Sequence, residues 1–438
     1  MVMRSFVLVA LLLVWPALVE AARKNVLLLI SDNHTRSDMG CYGHPDIRTP
    51  NLDRLAAGGT RFANAFCTVA SCGPSRGVIY TGLLTHANGQ YTHGHSFHNG
   101  VLLPKVKTVF DIVKADGYRT ALFGKTSFYQ LPGHYELDLI DPQNSRDIPK
   151  MAEAAERFIR DCGDRPFLVV LCTHDPQPML KLPDERRTLK PPPPRSLDPA
   201  TLHLPSSVPD RPDMREEFAE YCEYVERMDD GFGQALAMLE RSGKKDDTLV
   251  MFFSDQGAAF PHGYTQYEPG VQVPMILHNP QATKRGIVCD ALVTLADVTP
   301  TVLDWTGVKS PYPLHGRSLL PIVEQEQTTG WDSVVLSHVM HEVTMYYPMR
   351  TLRERRYKLI WNLCYEMPFL NAKEVEDRSP WRLTIEHGDK YIGRREVQKY
   401  VWRDPIELYD LQEDPDELVN LADDSRYADL RRKMSEKL

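Results

Sequence analysis

Val26 to Ile30 is an unbroken apolar run, entered from Asn25 and stopped by Ser31-Asp32-Asn33. Three further runs have the same form. Arg119-Thr120-Ala121-Leu122-Phe123 ends in Gly124-Lys125, and Phe167 to Cys172 ends in Thr173-His174-Asp175. Thr248 to Phe253 ends in Ser254-Asp255-Gln256-Gly257. Short runs without alternation suit strands covered on both faces, as in a parallel sheet. Helical periodicity fills the intervals, over Asn51 to Gly58, Val106 to Gly117, Met151 to Cys162 and Asp213 to Ser242. Strands alternating with helices predict an α/β fold with a doubly wound, mainly parallel sheet.

From Trp331 the pattern changes. Val334-Val335-Leu336, Tyr357 to Trp361 and Glu407 to Asp410 read as short strands, and Ser425 to Leu438 as a closing helix. The chain therefore divides into a large domain over 23–330 and a smaller C-terminal α+β subdomain over 331–438. Pro191 to Pro212 is proline-rich and aperiodic, which reads as a long surface loop, with a place over the site as one reading. No internal repeat is visible.

Ligands of open parallel sheets bind beyond the carboxyl ends of the strands. All four expected strands deliver polar residues there: Asp32, Lys125, His174 and Asp255. A fifth segment adds reactive chemistry. In Ser71-Cys72-Gly73-Pro74-Ser75-Arg76-Gly77, proline suits the first turn of a helix, which places Cys72 just ahead of the helix N-terminus. Free backbone N–H groups and the helix dipole favour an anion at that point, and Arg76 adds a permanent cation. A lone cysteine in this setting also reads as an ordinary buried residue.

The 438 residues exceed a single compact core. The net charge of -8 offers no global attraction for polyanions, which excludes nucleic acid as a partner and leaves anion binding to local Arg, Lys and His. Met1 to Ala22 holds Arg4, an apolar run from Phe6 to Val19 and a small-residue end, which reads as a signal peptide for export. No other stretch approaches transmembrane length, so no transmembrane domain is expected after its cleavage. Eight cysteines show no CxxC spacing, and the pairing of any disulfides stays open.

Cys72-Gly73-Pro74-Ser75-Arg76 followed by Thr81-Gly82 resembles the signature of type I sulfatases, in the alkaline phosphatase superfamily. Thr173-His174-Asp175-Pro176, Leu303-Asp304-Trp305, Gly316 to Pro321 and the run His341 to Arg350 are similar to the heparan N-sulfatase (N-sulfoglucosamine sulfohydrolase) branch. This resemblance implies a hydrolase that releases sulfate from a sulfated sugar, N-sulfoglucosamine of heparan-type glycans. It also implies that a sulfatase-maturing enzyme oxidises Cys72 to formylglycine, the nucleophile. One calcium ion is implied on Asp32, Asn33, Asp255 and Gln256 with residue 72. Lys125 and Arg76 are implied to hold the anion, and His174 to protonate the leaving group.

The chain departs from the family pattern at four of these positions. The pattern has Asp-Asp and Asp-Asn where this chain has Asp32-Asn33 and Asp255-Gln256, one formal negative charge fewer, so restoring an aspartate by Asn33→Asp should tighten calcium. Ser127 stands in place of a histidine. Tyr264 stands in place of a Lys or Arg for the sulfate, with His262 a nearby substitute. His341, Glu342 and Arg350 are candidates for reading the sugar. His86, His93, His95 and His98 form either a rim around an anionic sugar or a solvated loop. A non-catalytic protein binding sulfated glycans and a phosphatase or phosphodiesterase of the same superfamily are the alternatives.

Overall fold

The computed structural model describes residues 24–94, 96–143, 145–177, 196–260 and 263–438. The expected signal peptide, His95, His262 and the first part of the proline-rich loop lie outside the described residues. The larger sheet is built from β1 (Asn25–Asp32), β2 (Thr60–Phe66), β3 (Arg119–Gly124), β4 (Leu139–Asp141), β5 (Phe167–Pro176), β6 (Thr248–Ser254), β7 (Met275–His278) and β8 (Ile287–Thr294). Their order is β4-β3-β5-β1-β6-β7-β2-β8. Only β7 runs antiparallel to its neighbours. The four strands expected from apolar runs are the contiguous centre, β3-β5-β1-β6.

The reason lies in where alternate side chains go. Val26, Leu28 and Ile30 of β1 enter one apolar core, and Leu27 and Leu29 enter the other. A strand covered on both faces has no polar positions to alternate with. Each such side chain contributes roughly 1.5–3 kcal/mol by leaving water. The helices Val109–Ala115 and Val298–Thr306 cover the first face, and Pro50–Ala57, Ile148–Cys162 and Pro212–Arg241 cover the second. Leu202 and Val208, in the described part of the proline-rich loop, also pack into the second core.

Register brings the strand ends level. Ile30 lies opposite Cys172 on one side and Phe253 on the other, and Gly124 also lies opposite Cys172. Asp32, Lys125, His174 and Asp255 therefore leave the sheet along one edge.

The second sheet is antiparallel, in the order β14-β11-β10-β9. It comprises β9 (Ser333–His338), β10 (Met349–Glu354), β11 (Tyr357–Asn362) and β14 (Ile406–Asp410), with a short separate ladder of β12 (Tyr391–Ile392) and β13 (Arg395–Glu396). The chain closes with the helix Ala428–Lys437, as its pattern predicts. All eight cysteines are free thiols. Among the described residues no helix is long and apolar enough to cross a membrane.

A buried charge cluster ties the second sheet to the first region. Lys358 on β11 is fully buried, with Nζ 3.0 Å from Glu268 Oε1 and 2.8 Å from Glu417 Oε1. Glu268 opens the turn before β7 and also accepts from Arg353 of β10. Removing one member of such a set leaves uncompensated charge in a poorly solvated place. Lys358→Met is expected to destabilise the protein by about 3–5 kcal/mol, read as a fall in the denaturant midpoint.

Candidate active site

The helix Cys72–Thr81 starts at Cys72, one residue earlier than its pattern predicts, with Ser71 as an extended N-cap. Pro74 occupies its first turn, where an absent N–H breaks no helical bond. All ten helix residues are buried, so its N-terminus opens inside the protein. Cys72 and Arg76 are one turn apart and share a face.

At the end of β1, Asn33 has φ 57°, a left-handed conformation that asparagine tolerates better than most residues. This turn lets the neighbours Asp32 and Asn33 face the same space. Their Oδ1 atoms lie 3.5 and 3.8 Å from Cys72 Sγ. From β6, Asp255 Oδ1 accepts from the Asn33 N–H at 3.2 Å, and Gln256 Nε2 lies 3.4 Å from the sulfur. Ser75 Oγ donates to the Asp255 carbonyl at 2.6 Å, which pins helix to strand. On β3 the chain turns at Gly124, φ 92°, where a Cβ would meet the Cys172 carbonyl oxygen at 2.1 Å. Only glycine fits that approach, and the turn delivers Lys125 with Nζ 2.6 Å from Asp32 Oδ2 and 3.4 Å from the sulfur.

Arg76 is fully buried and engaged: it reaches Asp255 Oδ2 at 2.9 Å, Asp32 Oδ1 at 3.5 Å and Ser127 Oγ at 3.1 Å. It balances the two carboxylates from beneath, a different use from the anion grip its position in the motif predicts. His174 follows β5's core segment, with Nδ1 2.7 Å from Ser145 Oγ. The next residue, Asp175, is held by Arg146 at 2.9 Å and by Arg227, which fixes the backbone at His174. Tyr264 OH accepts from Asn33 Nδ2 at 3.2 Å. His341 Nδ1 lies 2.9 Å from Ser71 Oγ, its Nε2 3.3 Å from His93 Nε2, and its ring centroid 4.1 Å from that of Tyr264. His93 is thus a wall of the site, on the chain that follows the helix Cys72–Thr81. Among the described contacts, Glu342 and Arg350 make no hydrogen bond to this cluster; Arg350 donates to the Met349 carbonyl on β10 at 2.9 Å.

The description of the family model that matches residues 24–308 is "Sulfatase". The chain belongs to the sulfatase family. A second model, "N-sulphoglucosamine sulphohydrolase, C-terminal", matches residues 262–373. The chain is 34% identical to N-sulphoglucosamine sulphohydrolase of Homo sapiens, over 98% of this chain and 91% of that one. It is 25% identical to N-acetylglucosamine-6-O-sulfatase of Bacteroides thetaiotaomicron, covering 96% and 86%. Among solved structures, a protein in complex with its substrate D-glucosamine-2-N,6-O-disulfate superposes with a TM-score of 0.69 at 22% identity, covering 95% and 97%. The phosphonate monoester hydrolase of Agrobacterium radiobacter superposes with a TM-score of 0.71 at 19% identity, covering 95% and 94%. These two likenesses speak for the alkaline-phosphatase-like fold alone.

Within this sulfatase site the donor set fits a hard divalent cation. Asp32, Cys72 and Asp255 offer ligand atoms within 4.8 Å of one another. Asn33 Oδ1 faces the same space, while Gln256 turns its Nε2 toward Asn33 and the sulfur and leaves its Oε1 buried with no hydrogen-bond partner, so a cation would be met by that oxygen with the amide turned over. One further residue enters the site without any motif to announce it. Glu374 Oε1 accepts from Asn33 Nδ2 at 3.2 Å, and its Oε2 accepts from Gln177 Nε2 at 2.8 Å. It stands 341 residues from Asn33 in a polar stretch, and only the chain's closure over the cleft brings the two together.

The electrostatics follow from burial and pairing. Burial alone would raise Asp32, yet Lys125, then Arg76 and His174, outweigh it and hold its carboxyl well below the usual range. Burial pushes Asp255 up against the pull of Arg76. Burial, reinforced by Asp32, drives the Cys72 thiol far above its ordinary value, so the unmodified side chain carries no thiolate at neutral pH. Burial first, then Lys125, depresses His174 to about 3. An unfolded chain takes up that proton near pH 6.5, whereas the folded chain resists until about pH 3. The stabilisation is complete above that window and is lost as pH falls through it, at up to about 1.4 kcal/mol per pH unit. His174→Gln is expected to flatten the stability profile across this window, measured by denaturant midpoints in chelator-treated protein.

Proposed function

We propose that the chain hydrolyses the sulfamate of N-sulfoglucosamine in a heparan-type glycan, with Cys72 converted to formylglycine as the nucleophile. The observation that carries this reading is the convergence of Asp32, Asn33, Lys125 and Gln256 on the sulfur of a buried cysteine at a helix N-terminus. Burial keeps that cysteine protonated, so an ordinary thiolate mechanism has no nucleophile here. Hydrated formylglycine supplies two hydroxyls on one carbon, one to attack sulfur and the second to collapse to aldehyde and expel sulfate. A divalent cation, calcium in this proposal, would be held by Asp32, Asn33, Asp255, Gln256 and residue 72, and would polarise the sulfuryl oxygens.

The chain's own residues do the rest. Asp32 and Asp255 are matched by Lys125 and Arg76, and the Glu374 carboxylate stands beyond them, so the pocket is not itself a strong anion trap. Lys125, one ion pair from the reacting centre, is the cation placed to follow the leaving group or the sulfuryl oxygens. His174 is neutral in the resting cleft, and an anion bound beside it raises its pKa toward a value useful for protonating the leaving nitrogen. Tyr264 offers a hydroxyl where family members place a cation, while His341 and His93 line the wall beside it for the sugar. Export through the signal peptide at 1–22, a catalytic region at 23–330 and a smaller subdomain at 331–438 belong to the same proposal.

Two measurements test it. Mass spectrometry of the tryptic peptide containing residue 72, from a host with sulfatase-maturing activity, should show a loss of about 18 mass units, since sulfur and its hydrogens leave and one oxygen enters. Sulfate release from N-sulfoglucosamine should require calcium and vanish in Cys72→Ala. A free thiol with no sulfate release would favour a glycan-binding protein, and turnover of a phosphodiester in preference would favour the phosphatase alternative.

A further inference from the structure

The amide of Asn33 has a definite orientation. Nδ2 donates to Tyr264 OH and to Glu374 Oε1, both at 3.2 Å. Oδ1 accepts from Gln256 Nε2 and lies 3.8 Å from Cys72 Sγ. The amide nitrogen therefore points toward two acceptors, and the carbonyl toward Gln256 and Cys72. Glu374 is itself fixed, because its other oxygen accepts from Gln177 Nε2 at 2.8 Å. It arrives from the C-terminal part of the chain, in the short helix Lys373–Glu376.

We infer that Glu374 is a positioning residue that sets a negative charge one step behind the cation, with the Asn33 amide as the relay. The inference rests on the calcium site of the proposed function. A carboxylate accepting from Nδ2 polarises the amide and strengthens Oδ1 as an oxygen ligand, as outer groups do behind metal-bound histidines. Asparagine and glutamate are a matched pair in this arrangement. An aspartate introduced by Asn33→Asp would instead set one carboxylate oxygen about where Nδ2 now meets Glu374, and two like charges at that range oppose each other's ionisation. On this inference Asn33→Asp alone does not tighten calcium, the opposite of the expectation from charge count. The extra charge is useful only when Glu374 has lost its own.

The test is a double-mutant cycle on the full chain with residue 72 converted, read by calorimetric titration of calcium chloride into chelator-treated protein. Glu374→Gln is expected to weaken calcium about 10- to 100-fold in the parent background. In the Asn33→Asp background the same change is expected to tighten calcium, and Asn33→Asp alone to bind no tighter than the parent. That reversal of sign separates charge relay from a general structural role, which would shift affinity alike in both backgrounds. Melting temperatures in chelator check folding and carry a second reading: Asn33→Asp should lower the value, and adding Glu374→Gln should restore it. Should Glu374→Gln fail to fold, Gln177→Leu, which releases the other oxygen of the same carboxylate, is measured instead and should also weaken calcium. Calcium bound by the parent with equal shifts in both backgrounds, or unchanged by Gln177→Leu, overturns this inference alone. A parent chain that takes up no calcium overturns the cation reading and the inference with it.

Discussion

Two buried carboxylates beside a sulfur atom set the terms for the whole centre. Asp32 and Asp255 end adjacent central strands at the mouth of the cleft, where little water reaches them. Such groups persist as anions only when cations stand against them. Arg76 takes that place from the helix Cys72–Thr81, and Lys125 from the end of β3. The pairing also dictates local backbone: glycine at 124 to let Lys125 turn in, and a left-handed Asn33 so that consecutive side chains share one pocket. Two cations thus stand against these two carboxylates, and no positive charge is left over among the four.

The parallel sheet makes this concentration of charge possible. Parallel register sends successive strand ends to one edge, so residues distant in sequence gather without long loops of their own. The helix Cys72–Thr81 then aims its unsatisfied N–H groups at the same point. Its position also explains the cysteine's chemistry. A thiol set beside carboxylates and shut away from water is held in its protonated, poorly nucleophilic form.

The C-terminal part of the chain is more than a buttress. His341 precedes β10 and packs on Tyr264 and His93, and Glu374 reaches across to Asn33. Lys358 and its carboxylates, buried between the two sheets, hold this part at a fixed distance from the cleft. Departures from the family pattern at 33, 127, 256 and 264 thus sit in a connected network. Ser127 bonds Arg76, Gln256 bonds Asn33, and Tyr264 bonds Asn33 in turn.

Local sequence pattern was enough for the architecture's centre and for the cleft's floor. Strands buried on both faces leave unbroken apolar runs, and their polar ends mark the edge where ligands gather, so Asp32, Lys125, His174 and Asp255 were legible together. The strands β2 and β8, at one end of the sheet, were not, because partial exposure mixes polar with apolar residues and erases the run. β10 was hidden inside a stretch read for its family likeness. The fate of Arg76, counter-charge before anion grip, depended on which carboxylates folding placed against it. Glu374 and the orientation of the Asn33 amide were likewise settled only in three dimensions. A hydrogen bond between residues far apart in the chain leaves no periodicity, spacing or composition to read; it exists only once the two parts of the chain close on each other.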